Sequence, residues 1–193
     1  LLGAPAGLRQ FAFALGGFWP AIVGTGRGVY QFQDLAMFVS YGFLHAGIAH
    51  LAMNMLSLAV LVRELSPGLS TGRLLAIYAV AQVAGALLFR WLHPVGGPMV
   101  GASGAIFGLA GALFGFAMVR YAARGLPMGG LMRSAGILIG LNLILTLLMP
   151  AVAWEAHLGG AIAGLVMGAA YGMMPAPQRR AIRAGQGRSD NGG

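Results

Sequence analysis

The sequence predicts an all-α polytopic membrane protein, and three observations carry that prediction. Of its 193 residues, 58% are hydrophobic and 8% charged, with a mean hydropathy of +0.79. A water-soluble domain carries about 25% charged residues. Five apolar stretches, at about 44–62, 74–92, 103–119, 134–149 and 154–174, approach the roughly 20 residues that cross a bilayer. Turn-forming residues separate them: Pro67-Gly68, the 94–98 segment with its two prolines, Arg124-Gly125-Leu126-Pro127, and Pro150. Many of the 33 glycines lie inside these apolar runs, which fits close helix packing in a membrane better than disorder. The chain has no cysteine, and this excludes a disulfide framework, a thiolate nucleophile and a cysteine metal site.

Along the chain, residues 1–42 are apolar but broken. The run 11–23 is too short to span, contains Trp19-Pro20, and is followed by Gly24, Gly26 and Gly28. This region is expected to be a segment with a short helix at the outer leaflet, followed by a loop. A first spanning helix is expected upstream of Leu1; the alternative is that residues 1–23 are that helix, poorly formed. Residues 43–174 form the membrane domain. The tail 175–193 is polar, glycine-rich and basic, and is expected to be disordered.

Charge sets the orientation. The net charge of +8 comes from twelve arginines against four acids. Such a balance can indicate nucleic acid, but here the arginines sit between apolar runs, as topology signals do. Arg63, Arg73, Arg120, Arg124, Arg133, Arg179, Arg180, Arg183 and Arg188 fall on one side; Arg9, Arg27 and Arg90 fall on the other. The richer side is expected to be cytoplasmic, with the tail there and the site described next facing outward. No nucleic-acid partner is expected.

The motif Gly101-Ala102-Ser103-Gly104-Ala105-Ile106-Phe107-Gly108 opens the third run. Gly101 and Gly104 leave room for backbone beside the hydroxyl and permit a sharp turn before it. Gly104, Gly108, Gly111 or Ala112, and Gly115 fall roughly on one helix face, a surface suited to a close helix neighbour. Two readings of Ser103 stand: a nucleophile at the top of a membrane helix, or an N-cap followed by a packing stripe.

Polar side chains inside apolar runs need a reason. His45 and His50 open the first complete span, and Asn54 follows His50 by four residues on the same helix face. His157 lies near the start of the last span, ahead of Gly160 and Gly164, which are again four apart. At about 1.5 Å per residue, Asn54, Ser103 and His157 all fall in the outer half of the bilayer. A metal site of His45, His50 and His157 ranks low, because no carboxylate accompanies them and His45 and His50 do not share a helix face. Glu155 reads as an outer-surface residue beside Trp154. His93 receives no role, and Gln82 and Asn142 read as interhelical hydrogen-bonding groups.

The set His45-Ala-Gly-Ile-Ala-His50-Leu-Ala-Met-Asn54, then Gly101-Ala-Ser103-Gly104, then Ala156-His157-Leu-Gly-Gly160 resembles the rhomboid intramembrane serine proteases over about residues 38–172. The resemblance implies a six-helix core, of which five spans are visible. It implies a catalytic dyad of Ser103 and His157, with His50 and Asn54 binding the oxyanion. It also implies a substrate that is a transmembrane protein, approaching past the 134–149 span, with no cofactor and no metal. Phe107 stands where many members carry an aromatic hydroxyl, so it can stack on His157 but not hydrogen-bond. Trp19-Pro20 departs from the Trp-Arg pair of many first outer loops. On this reading the protein sits in the bacterial inner membrane. A serine hydroxyl needs an adjacent base to become a nucleophile, and His157 is the base that the last span offers. A non-catalytic relative that binds membrane helices and a small transporter are the alternatives. The first predicts loss of Ser103 or His157. The second favours a charge deep in a span, and none is present except Arg90 near a span end. Oligomeric state and substrate identity do not follow from the sequence.

Overall fold

The structure is a computed structural model and describes residues 6–148 and 153–175, with the side chains of 6, 138 and 141–148 outside that description. The chain is helical: α1 Ala6–Gly16, α2 Gln33–Ser40, α3 Ile48–Leu65, α4 Thr71–Leu92, α5 Ser103–Ala122, α6 Gly129–Leu148 and α7 Trp154–Met173, with single 3₁₀ turns at Pro20–Ile22 and Tyr41–Phe43. Among the described residues four helices, α3, α4, α5 and α7, are long and apolar enough to cross a membrane. α6 occupies the place of the remaining expected span. The protein is an integral membrane protein built as a helical bundle.

The centre of the bundle is α5 against α7, its most extensive helix contact, with α4 packed on both and α3 on α5. Glycine makes this possible. A Cβ added at Gly160 would run into the Gly104 carbonyl oxygen, and one at Gly164 into that of Gly108. The two backbones are in contact, as the glycine spacing of the third and fifth runs predicts. α4 joins through Gly85, where an added Cβ would lie 2.7 Å from the Ala156 carbonyl oxygen. Two apolar clusters cap this centre. Phe18, Met37, Tyr41, Ala86, Met99 and Ala156 close one end; Leu65, Leu69, Leu74, Ile77, Leu109 and Ala112 fill the other.

Helix limits depart from the sequence reading in instructive ways. α3 begins at Ile48 rather than 44, because Gly47 is fully extended (φ −178°, ψ 174°) and His45 stays in the preceding connection. Asn54 is therefore about 9 Å below the helix start, shallower than expected. α4 begins at Thr71 and α5 runs on to Ala122. The turn expected at Pro150, the side chain of Asn142 and the tail from 176 lie outside the described residues.

The N-terminal region is tied to the connection before α5. Phe18 and Met99 exchange two backbone hydrogen bonds of 2.9 Å each. The last carbonyls of α1 accept from side chains: Gln33 Nε2 donates to Ala14 O at 2.6 Å and Ser40 Oγ to Gly16 O at 2.8 Å. At 11 residues, α1 is about 16 Å long, too short to span.

Candidate active site

Ser103 is the first residue of α5. The preceding cap position is Ala102, and no side chain caps the helix. The Ser103 hydroxyl turns instead to the neighbouring helix, where His157 Nε2 lies 2.9 Å from Ser103 Oγ. The N-cap reading of this serine is thereby set aside. Gly101 makes the turn, at φ +126°, which a residue with a Cβ adopts only under strain. Its N–H donates to Tyr41 O at 2.9 Å. That tyrosine is itself anchored, its hydroxyl donating to the Gln82 carbonyl at 2.7 Å. Burial pushes the Tyr41 hydroxyl well above its ordinary pKa, so it stays protonated and remains a donor.

His157 is buried on the first turn of α7. Phe107, one helical turn below Ser103, stacks on its ring at 4.3 Å between centroids and 11° between planes. The stack fixes the ring plane, so Nε2 faces the hydroxyl. Such a pair can pass the hydroxyl proton to Nε2 as the oxygen attacks a carbonyl.

The other wall comes from α3. Asn54 is 6% exposed, and its Nδ2 has no hydrogen-bond partner. A buried amide donor left open costs about 1–3 kcal/mol, so an open one marks a place where a ligand oxygen fits. His50 packs under Gly101, where an added Cβ would lie 3.0 Å from His50 Nε2 and 3.8 Å from Asn54 Nδ2. Both donors therefore face the Gly101–Ser103 turn. The Ala46 N–H approaches His50 Nδ1 at 3.5 Å, which leaves the ring proton on Nε2, the nitrogen on the Gly101 side. As the first residue of a helix, Ser103 also presents a backbone N–H with no intrahelical acceptor. Two side-chain donors thus lie beside the turn that leads into Ser103, and the Ser103 N–H is a third donor on that turn.

Several expectations need correction. His45 does lie beside His50, ring to ring at 5.2 Å, although the two share no helix face. It reaches there from the connection before α3. Burial lowers the His45 pKa, opposed by its bond to the Phe43 backbone. Even so, no group of three metal-ligating side chains is close enough to hold an ion among the described residues. The Gln82 side chain makes no interhelical hydrogen bond: both of its polar atoms are buried without a partner, and only its carbonyl is used. Glu155 is not a surface residue. It is 3% exposed, and its Oε1 accepts from His93 Nε2 at 2.5 Å. His93, given no role in the sequence, is that partner. The two are 62 residues apart at opposite kinds of helix end, a pairing that no local spacing announces.

Residues 33–174 match the family description Rhomboid domain. The match covers well over half of the chain. The chain belongs to the rhomboid family. Comparison with curated proteins gives no match. The matched region contains every residue of the site above, from Tyr41 to His157, and it extends the 38–172 resemblance by a few residues at either end. In this rhomboid-family protein, α3, α5 and α7 each bring their N-terminal ends to one end of the bundle. Arg73 and Arg120 mark the opposite end, where Arg120 Nη2 donates to the Met174 carbonyl at 3.2 Å and Arg73 lies over the Tyr171 ring at 5.1 Å.

Proposed function

We propose that this rhomboid-family protein is an intramembrane serine endopeptidase that cleaves peptide bonds in or near transmembrane segments of other membrane proteins. Ser103 is the nucleophile and His157 the general base and acid. Asn54 Nδ2, His50 Nε2 and the Ser103 N–H receive the oxyanion, a place where each donor is worth about 10²–10³ in rate. The observation that carries this reading is the 2.9 Å contact between His157 Nε2 and Ser103 Oγ, with the imidazole held by the Phe107 stack. The unpartnered Asn54 amide supports it independently.

In the reaction, Ser103 Oγ bonds to the scissile carbonyl carbon while its proton moves to His157 Nε2. The tetrahedral intermediate collapses as that proton passes to the leaving amine. Water, deprotonated by the same imidazole, then releases the acyl group and restores the hydroxyl. A substrate helix has to unwind locally first, because helical carbonyls in lipid are bonded internally. The arginine asymmetry supports an inner-membrane orientation with the site outside and the C-terminal tail in the cytoplasm. The three-part division into a 1–42 outer segment, a 43–174 membrane domain and a 175–193 tail belongs to the same reading.

The test is cleavage of a single-span reporter substrate in detergent by purified wild type and Ser103→Ala, each with and without chelator. Wild type cleaves regardless of chelator, and Ser103→Ala does not cleave. Full cleavage by folded Ser103→Ala, or loss of wild-type activity on chelation, ends the serine reading.

A further inference from the structure

His157 is held against Ser103 by an interface made largely of glycine. Gly104, Gly108 and Gly115 of α5 and Gly160, Gly164 and Gly168 of α7 let the backbones touch. On the α4 side, an added Cβ at Gly159 would lie 2.7 Å from the Ala84 carbonyl oxygen. Such surfaces bring helices close but offer few side-chain knobs, and knobs are what resist rotation of one helix about its own axis. Rotation of α7 would carry the imidazole off the hydroxyl. A directional bond at the head of α7 adds resistance to that rotation.

A side-chain pair near the head of α7 has that character. Glu155, in the first turn, accepts from His93 at the C-terminal cap of α4. Two residues on a helix differ by about 200° in direction. Glu155 therefore reaches toward α4 from the side of α7 opposite His157, which reaches toward α5. A pin on one side fixes the angle of the other. His93 also begins the connection that ends at Gly101-Ala102-Ser103, and its own carbonyl accepts from the Gly96 N–H at 3.2 Å. The same bond thus ties the head of the base-bearing helix to the chain that delivers the nucleophile. The Glu155 side chain is 4% exposed while that of His93 is 49% exposed. The carboxylate depends on this partner, because burial without one is costly.

We propose that Glu155, through its bond to His93, is a positioning residue that sets the rotation of α7 and thereby keeps His157 on Ser103. This rests on the Ser103–His157 reading above. Neither residue touches the reacting atoms.

The experiment measures the rate of Ser103 labelling by a fluorophosphonate, and kcat and KM on a single-span substrate. Temperatures are kept well below the unfolding midpoint of each variant. Glu155→Gln keeps an acceptor and stays near the wild-type rate. Glu155→Ala lowers labelling and kcat at least about tenfold with KM unchanged, the signature of a misplaced catalytic pair rather than lost binding. His93→Ala strands a buried carboxylate and is slower still, and adding Glu155→Ala to it restores the rate to that of Glu155→Ala alone. Wild-type labelling and kcat in folded Glu155→Ala overturn the proposal, as does a double variant slower than either single one. If Glu155→Ala does not fold, His93→Gln, which can still donate, is compared with His93→Leu, which cannot; equal rates overturn the proposal. Failure of the dyad reading looks different: wild type is then unlabelled, or Ser103→Ala is labelled as well, and either result ends the positioning proposal too. Failure of positioning alone leaves wild type labelled, Ser103→Ala unlabelled, and the Glu155 variants at the wild-type rate.

Discussion

The α5–α7 contact and the α3–α5 contact build two halves of one site in different ways. α5 and α7 meet backbone to backbone along a glycine seam. α3 is mostly exposed; its buried residues are Asn54 and Leu65, while Ile48, Met53, Leu56 and Val60 face outward, where lipid would lie. The proposed nucleophile and base, which must meet within hydrogen-bonding distance, sit on the pair whose backbones touch. The proposed side-chain oxyanion donors, His50 and Asn54, sit on a helix with few buried residues. The closest helix approach lies where a small displacement of the proposed reacting groups costs most.

That contrast can be broken from its rigid half. Gly160→Val places a branched side chain against the Gly104 carbonyl and wedges α5 from α7. Cleavage is expected to vanish, with a clear drop in the thermal unfolding midpoint in detergent. Unchanged activity would mean that the seam does not set the dyad. A smaller effect is expected on the looser half. Asn54→Ala deletes one donor of three and should lower kcat about 10²-fold. Because Nδ2 makes no bond in the resting site, the unfolding midpoint should hardly change. A large loss of stability would show that Asn54 is a packing residue instead. The smallest effect belongs to α6, whose contact with α5 is a slight one among the described residues. Ile139 is exposed, and Ile139→Ala should change stability by no more than about 0.5 kcal/mol. If the 134–149 side admits substrate, that variant changes KM before it changes kcat.

Much of this was legible in the sequence because it is periodic or local. The Gly101–Ser103–Gly104 turn, the His50/Asn54 pair at one-turn spacing, and the Gly160/Gly164 seam all follow from helix geometry. The structure brings Ser103, His157, Phe107, His50 and Asn54 to one end of the bundle, as the depths of Asn54, Ser103 and His157 in the spans suggested for those three. What stayed hidden depends on distant chain meeting distant chain. The Phe18–Met99 bridge uses only backbone groups and leaves no side-chain signature. Tyr41 joins Gly101 to Gln82 through its carbonyl on one side and its hydroxyl on the other, from a segment that reads as loop. Glu155 misled for a physical reason: an acid at a helix start beside tryptophan is ordinarily solvated, and burying it requires a partner that sequence spacing cannot identify. Gln82 misled in the opposite sense, since its amide lies buried beside Gly42 with no bond at all.

The central claim is that Ser103 is a nucleophile activated by His157. The measurement closest to it is covalent labelling of the purified protein in detergent by a fluorophosphonate, located by mass spectrometry. The dyad requires one adduct, on Ser103, formed at a useful rate in wild type. That rate should fall on the order of 10⁴-fold or more in His157→Ala, and the adduct should be absent from Ser103→Ala, with all three proteins folded. An adduct on another residue, or equal labelling of Ser103 with and without the His157 imidazole, would contradict it.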